Sequence, residues 1–233
     1  ILKKNGEDFY VFGEFWNNEE TANNDYLESI DYQFDLVDVK LHNNLFDASR
    51  MRENYDLRTI FDQSLVKNHP ESAVTFVDNH DTQRGQALES TVEEWFKPAA
   101  YALILLRESG LPCVFYGDYY GIKGEFAQQD FQDVIDKLLD IRLNLAYGEE
   151  TDYFDDSNCI GWTRAGIDGN QPLAILVSNS SATSKRMYFG QDWSGYECSD
   201  YLGNCQEIIT IDQEGWGEFP VEEQSVSVWS IKN

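Results

Sequence analysis

The chain has 233 residues, 42% hydrophobic and 14% aromatic, enough to bury a core in one or two domains and too much for a disordered tail or a disulfide-stapled miniprotein. Seventeen Lys and Arg against 42 Asp and Glu leave a net charge of −25, a field that repels phosphate backbones and anionic headgroups, so no nucleic acid and no membrane surface is expected as a partner. No apolar run nears the roughly 18 residues that cross a bilayer, and the opening I-L-K-K-N-G-E-D has neither an initiator Met nor a signal-like core, so the chain reads as starting in mid-protein.

Up to about residue 147, apolar β-rich runs alternate with helical stretches, the pattern of an α/β fold. Phe9 to Phe12, Phe34 to Leu41, Ala73 to Val77 and Cys113 to Tyr116 are the four runs. Leu57 to Val66 and Val92 to Arg107 carry apolar residues at helical spacing, with Pro98 a kink or a break. Phe131 to Leu145 recurs at three and four residue steps, an amphipathic helix ending at Gly148. From Thr151 onward the runs C-I-G-W-T-R, L-A-I-L-V-S, R-M-Y-F-G, E-I-I-T-I and S-V-S-V-W-S-I alternate with turns, which predicts a small antiparallel β-domain. The expected division is 1–148 and 149–233.

Four cysteines lack C-x-x-C spacing, which argues against zinc. Cys113, inside L-P-C-V-F-Y, reads as a core residue. Cys198 and Cys205 flank the turn-suited S-D-Y-L-G-N, close enough for a disulfide across it, though free thiols are an equal reading.

In parallel α/β units, side chains at the carboxyl ends of strands project into a shared mouth. The first run ends in G-E-F-W, offering Glu14 and Trp16. The third ends in F-V-D-N-H-D-T, offering Asp78, Asn79, His80 and Asp81. The second offers His42 and the fourth Asp118 and Tyr119. Each motif alone reads equally as a helix start or a capping turn. Together they suit a carbohydrate, whose C–H faces lie on rings and whose hydroxyls bond to carboxylate and imidazole. Glu14 is the candidate acid, because Phe12, Phe15 and Trp16 are expected to desolvate it and raise its pKa.

F-V-D-N-H-D-T-Q, then G-Q-A-L-E-S-T-V-E-E-W-F-K-P-A-A-Y-A and R-E-S-G-L-P-C-V-F-Y-G-D-Y-Y-G, with the later D-Y-F-D, I-G-W-T-R, K-R-M-Y-F-G and E-G-W-G-E-F, resemble the liquefying bacterial branch of the α-amylase family of retaining glycoside hydrolases. The resemblance implies an α/β fold: the second half, about four βα units, of a TIM (β/α)8 barrel, followed by a small antiparallel all-β domain. It implies endo-hydrolysis of α-1,4-glucosidic bonds in starch and maltooligosaccharides. The alternatives are an inactive glucan-binding fragment and a related transglycosylase. Glu14 then matches the general acid/base and Asp81 the carboxylate that stabilises the transition state, with His80, Trp16, His42 and Asn79 at the substrate. Lys40 stands where the family has a proline.

The family's nucleophile motif, G-F-R-x-D-A, and its D-x-V-x-N-H segment are absent from these residues. The implied partner is therefore an N-terminal half of the same protein, without which two strand edges stay open and the chain is expected to be weak or dead catalytically. Calcium is the implied metal, with its main cluster in that other half. A second site would draw on the carbonyls of Glu53, Tyr55 and Ser157 and on Asn158 and Asn179, neutral where the family has Asp, so its affinity is expected to fall. The polymeric substrate implies secretion, with a cytoplasmic location as the alternative.

Overall fold

The computed structural model describes residues 2–4, 7–167 and 170–232. A hairpin of β1 (Leu2–Lys4) and β2 (Glu7–Phe9) precedes β3 (Phe12–Gly13), α1 (Glu20–Ser29), β4 (Asp35–Val37), α2 (Val39–Met51), α3 (Leu65–Asn68), β5 (Ala73–Phe76), α4 (Lys97–Leu105), β6 (Leu111–Cys113), α5 (Tyr116–Tyr120) and α6 (Gln132–Asn144). Strands then follow one another: β7 (Glu150–Tyr153), β8 (Cys159–Arg164), β9 (Leu173–Ser178), β10 (Thr183–Tyr188), β11 (Glu197–Asp200), β12 (Ile209–Thr210), β13 (Trp216–Val221) and β14 (Val226–Ile231).

β3, β4, β5 and β6 form a parallel sheet in sequence order, the open half of a (β/α) barrel. Alternation along β5 divides its side chains between two cores. Val74 and Phe76 join Val37, Val39 and Trp16 on one face, while Ala73 and Val77 join the helices on the other. β3 and β6 have no outer neighbour among the described residues. Phe9, Tyr10 and Phe12 lie exposed at one edge and Leu111 and Tyr116 at the other. Cys113 belongs to that second edge and is exposed, which corrects the core position expected of it.

The antiparallel part is a six-stranded sheet in the order β12-β11-β14-β9-β8-β7, faced by a β10–β13 ribbon. Cys159, Leu176, Met187, Phe219 and Trp229 fill the space between them. The other face of the sheet contributes Ile160, Trp162, Ile175 and Val228 to the cluster that holds Leu45, Leu103 and Leu138 of the helices, so the two sheets share one core. Arg107 pins the same junction: its guanidinium lies 5.0 Å from the Phe61 ring and 5.5 Å from Phe154 and Trp162, and it pairs with Glu150 at 2.9 Å and with Asp152.

The sequence boundaries shift where a polar side chain ends an element. The second run stops being a strand at Val37, because Asp38 accepts Leu41 N at 2.9 Å and Val66 N at 2.8 Å and so opens α2. Leu57 to Val66 is not one helix: Asp56 and Ser64 each cap a short turn, and Gln63 has φ 58°. Pro98 neither kinks nor breaks α4 but lies in its first turn, where its missing N–H is harmless. Cys198 and Cys205 are free thiols; Cys205 Sγ faces Pro220 O at 3.6 Å, and burial pushes both thiols up to about 12.

Candidate active site

Gly13 ends β3, and a Cβ there would meet the Phe34 ring at 2.9 Å, so the residue before Glu14 must be small for β3 to lie against its neighbour. The chain then turns out at the carboxyl edge of the sheet. Trp16 Nε1 donates to Glu14 Oε2 at 3.3 Å. Its ring stands edge-on to His42 and Phe76, at 6.5 Å and 6.3 Å between centroids.

Phe76 closes β5 and leads into the N-H-D turn, so Trp16 links the ends of β3 and β5 across the intervening β4. The desolvation expected of Glu14 is not found: the carboxyl is exposed, Phe12 is 44% exposed, and Phe15 turns away to stack on Tyr26 at 4.6 Å. Trp16 is its hydrogen-bond partner among the described residues.

Asn79 Oδ1 accepts the backbone N–H of Asp81 at 2.9 Å and of Thr82 at 3.0 Å, an Asx turn that points residues 80 and 81 outward. The substrate contact expected of Asn79 is thus replaced, for its oxygen, by a turn-forming one. His80 and Asp81 remain open, with side chains 68% and 38% exposed and Nε2 3.6 Å from Oδ2. An open cleft of about 490 Å3 lies beside Trp16, bounded by Asn17, Asn43, Leu88 and Glu89.

His42 departs from its expected role at the substrate. It is fully buried, stacked on Phe76 at 5.0 Å, with Nδ1 2.6 Å from Val77 O and Nε2 2.8 Å from Ser90 Oγ. The short α2 cap draws it inside, and both nitrogens are engaged, so it supports the turn from beneath.

Burial holds the imidazole pKa down to about 4, and a depressed histidine contributes stability above its unfolded value of about 6.5 that is lost as pH falls through about 4. Relative to His42→Gln, the parent should therefore lose on the order of 3 kcal/mol of unfolding free energy between pH 6.5 and 4. Urea melts of both proteins across that range check it, and parallel pH profiles would refute it.

Beneath the turn lies a buried ionic cluster. Lys97 Nζ donates to Asp78 Oδ2 at 2.7 Å and to Asp118, both pairs buried. Asp118 also accepts Tyr101 Oη at 2.7 Å and Gln128 Nε2 at 2.7 Å. Asp78 Oδ1 accepts Thr82 Oγ1 at 3.0 Å and Val92 N at 3.3 Å, so Lys97 reaches the N-H-D turn through Asp78. Burial first, and the Asp118 charge, raise Asp78 to about 6, against the opposing pull of Lys97. Sequence reasoning noted both aspartates and missed their cation; a lone Lys within W-F-K-P-A-A-Y-A-L-I was the available signal.

The second calcium site does not fit its residues. Asn158 Nδ2 donates to Glu53 O at 2.8 Å, and Asn179 Nδ2 donates to Tyr55 O at 2.9 Å. Ser157 O accepts Leu57 N at 2.8 Å. Each carbonyl of the implied ligand set already faces an N–H. Cys205, Glu207 and Glu222 also converge, with donor atoms within 4.8 Å of one another, but a buried thiol is a poor ligand for a hard cation.

Parallel strands thus carry carboxylates, an imidazole and an indole at their carboxyl ends, in the open half of a (β/α) barrel. Residues 1–169 match the family model of the α-amylase catalytic domain, and 173–230 that of the α-amylase C-terminal domain. A glucan 1,4-α-maltohexaosidase of Bacillus sp. (strain 707) is 46% identical over 234 residues, spanning 100% of this chain and 45% of the relative. An α-amylase of Bacillus licheniformis is 43% identical over 233 residues, spanning 98% and 46%. Among solved structures, the cyclomaltodextrin glucanotransferase CldA superposes with a TM-score of 0.69 at 20% identity, over 97% of this chain and 51% of that one. The chain belongs to the α-amylase family, and it spans about half the length of the curated relatives it matches.

Proposed function

We propose that the protein carrying these residues cleaves internal α-1,4-glucosidic bonds of starch and maltooligosaccharides with retention of configuration. The observation that carries this reading is the pairing of Glu14 and the N-H-D turn at the carboxyl ends of β3 and β5, joined through Trp16. Glu14 protonates the departing glycosidic oxygen, then takes a proton from the water that attacks the glycosyl intermediate. Asp81, with its side chain partly open, stabilises the oxocarbenium-like centre, while His80 bonds a neighbouring hydroxyl. The indole of Trp16 offers a face for a sugar ring and an N–H that steers the acid.

Retention requires a nucleophilic carboxylate about 5 Å from the acid. We assign it to residues outside these 233, which also supply the main calcium cluster and the strands that cover β3 and β6. Residues 1–148 then form the catalytic part and 149–233 the C-terminal domain.

Starch and defined maltooligosaccharides incubated with the longer protein test the reading. New reducing ends with linear products are expected. Cyclic or lengthened products would make it a transglycosylase instead, and binding without cleavage would leave a glucan-binding protein.

A further inference from the structure

We infer that the joint between the parallel-sheet half and the antiparallel sheet is closed by a clasp of two side-chain amides that occupies the place of a cation, so that this joint neither takes up calcium nor yields to a chelator. Arg52 ends α2 at φ 52° and turns the carbonyls of residues 52, 53 and 55 toward the antiparallel sheet. Asn158 enters β8 and Asn179 leaves β9, two paired strands, with Asn179 N donating to Asn158 O at 3.2 Å.

Two amide groups carry four N–H bonds between them, and all four are used. Asn158 Nδ2 donates to Glu53 O at 2.8 Å and to Asn179 Oδ1 at 2.9 Å; Asn179 Nδ2 donates to Arg52 O at 2.8 Å and to Tyr55 O at 2.9 Å. Backbone carbonyls only accept, which fixes both amides with nitrogen inward. The outward oxygen of Asn158 accepts Ser157 Oγ at 3.2 Å. Arg52 O has no spare lone pair, since it also accepts Tyr55 N at 2.9 Å.

A calcium ion would need these same carbonyls at about 2.3–2.6 Å and carboxylates to balance its charge. Here the positive ends of N–H dipoles point at the carbonyls. The neighbouring acid, Asp156, spends Oδ1 on Asn158 N at 2.7 Å. Asn179 is fully buried, so admitting an ion would strip buried donors of their partners without a compensating anion. The clasp does a cation's structural work with neutral groups.

Hydrogen exchange read by mass spectrometry on the full-length protein tests this. Peptides covering 52–60, 156–161 and 176–181 are compared in EDTA and in millimolar calcium, with a β13 peptide as the reference for ions bound elsewhere. In the parent, the clasp peptides should change no more than the reference.

In the double variant Asn158→Asp, Asn179→Asp, two carboxylates face the carbonyls. Those peptides should then exchange about tenfold faster or more in EDTA and regain protection with calcium. If the double variant fails to fold in EDTA, Asn158→Ala replaces it, with faster local exchange expected and still no calcium response. Calcium-dependent protection of the parent clasp, or a folded double variant blind to calcium, overturns the inference.

Discussion

Replacing Glu14 by Gln is expected to lower starch cleavage by the longer protein about 10²- to 10⁴-fold, the range typical of a lost general acid. The exchange removes the transferable proton and little else. Gln can still accept Trp16 Nε1 through its amide oxygen, and Glu14 is exposed, so fold and glucan affinity should hold while kcat falls. An α-maltosyl fluoride, whose fluoride leaves without protonation, separates chemistry from structure: its glycosylation step should be nearly spared. Starch cleavage near the parent rate, or a glycosylation step with the fluoride slowed as much as that with starch, would remove Glu14 from the acid role.

The largest stability effect is expected at Lys97. Lys97→Met keeps much of the aliphatic volume and leaves Asp78 and Asp118 facing each other in the interior, both with under 2% exposed side chains. Breaking a buried pair in this way costs about 3–5 kcal/mol.

The deficit should depend on pH with a definite sign. Asp78 titrates at about 6 in the fold, above its unfolded value, so its protonated form favours the native state and stability from it falls as pH rises. Without the cation this pKa moves higher, and acidification neutralises an otherwise unpaired charge. The loss in K97M, from urea midpoints, should be smaller at pH 5 than at pH 8. A deficit that is pH-independent, or under about 1 kcal/mol, would mean that the ammonium is not what holds the two carboxylates.

Where burial on both faces forces an apolar run, the sequence reads well. β8 and β9 coincide with C-I-G-W-T-R and L-A-I-L-V-S, and every residue of both is buried. α6 is equally plain, because Ile135, Leu138 and Ile141 form a helical stripe. α1 leaves little trace: among its described side chains E-T-A-N-N-D-Y-L-E-S buries only Leu27 and Asn23, too little for a periodic signal. β7, half exposed at a sheet edge, carries T-D in its middle and looks like a loop.

In the site, the strand ends were legible because Gly, Glu and Trp follow a short run, and so was the N-H-D turn. What touches Glu14 was not, since Phe15 could face either way and only packing on Tyr26 decides. His42 and α2 are hidden for one reason: alternation in V-D-V-K-L-H mimics a strand, whereas the Asp38 cap turns it into a helix start and draws the imidazole inside.

The continuous apolar cluster from the helices into β8, β9 and β14 bears on how such proteins can be recombined. A β-sandwich cassette cut out near Gly148 would carry Trp162, Ile175 and Val228 to its new surface, stripped of the leucines that shield them. Grafting it onto a foreign barrel thus demands that α4 and α6 travel with it, or that the recipient offer the same leucines. Shuffling between relatives should succeed only at crossovers that leave this seam intact.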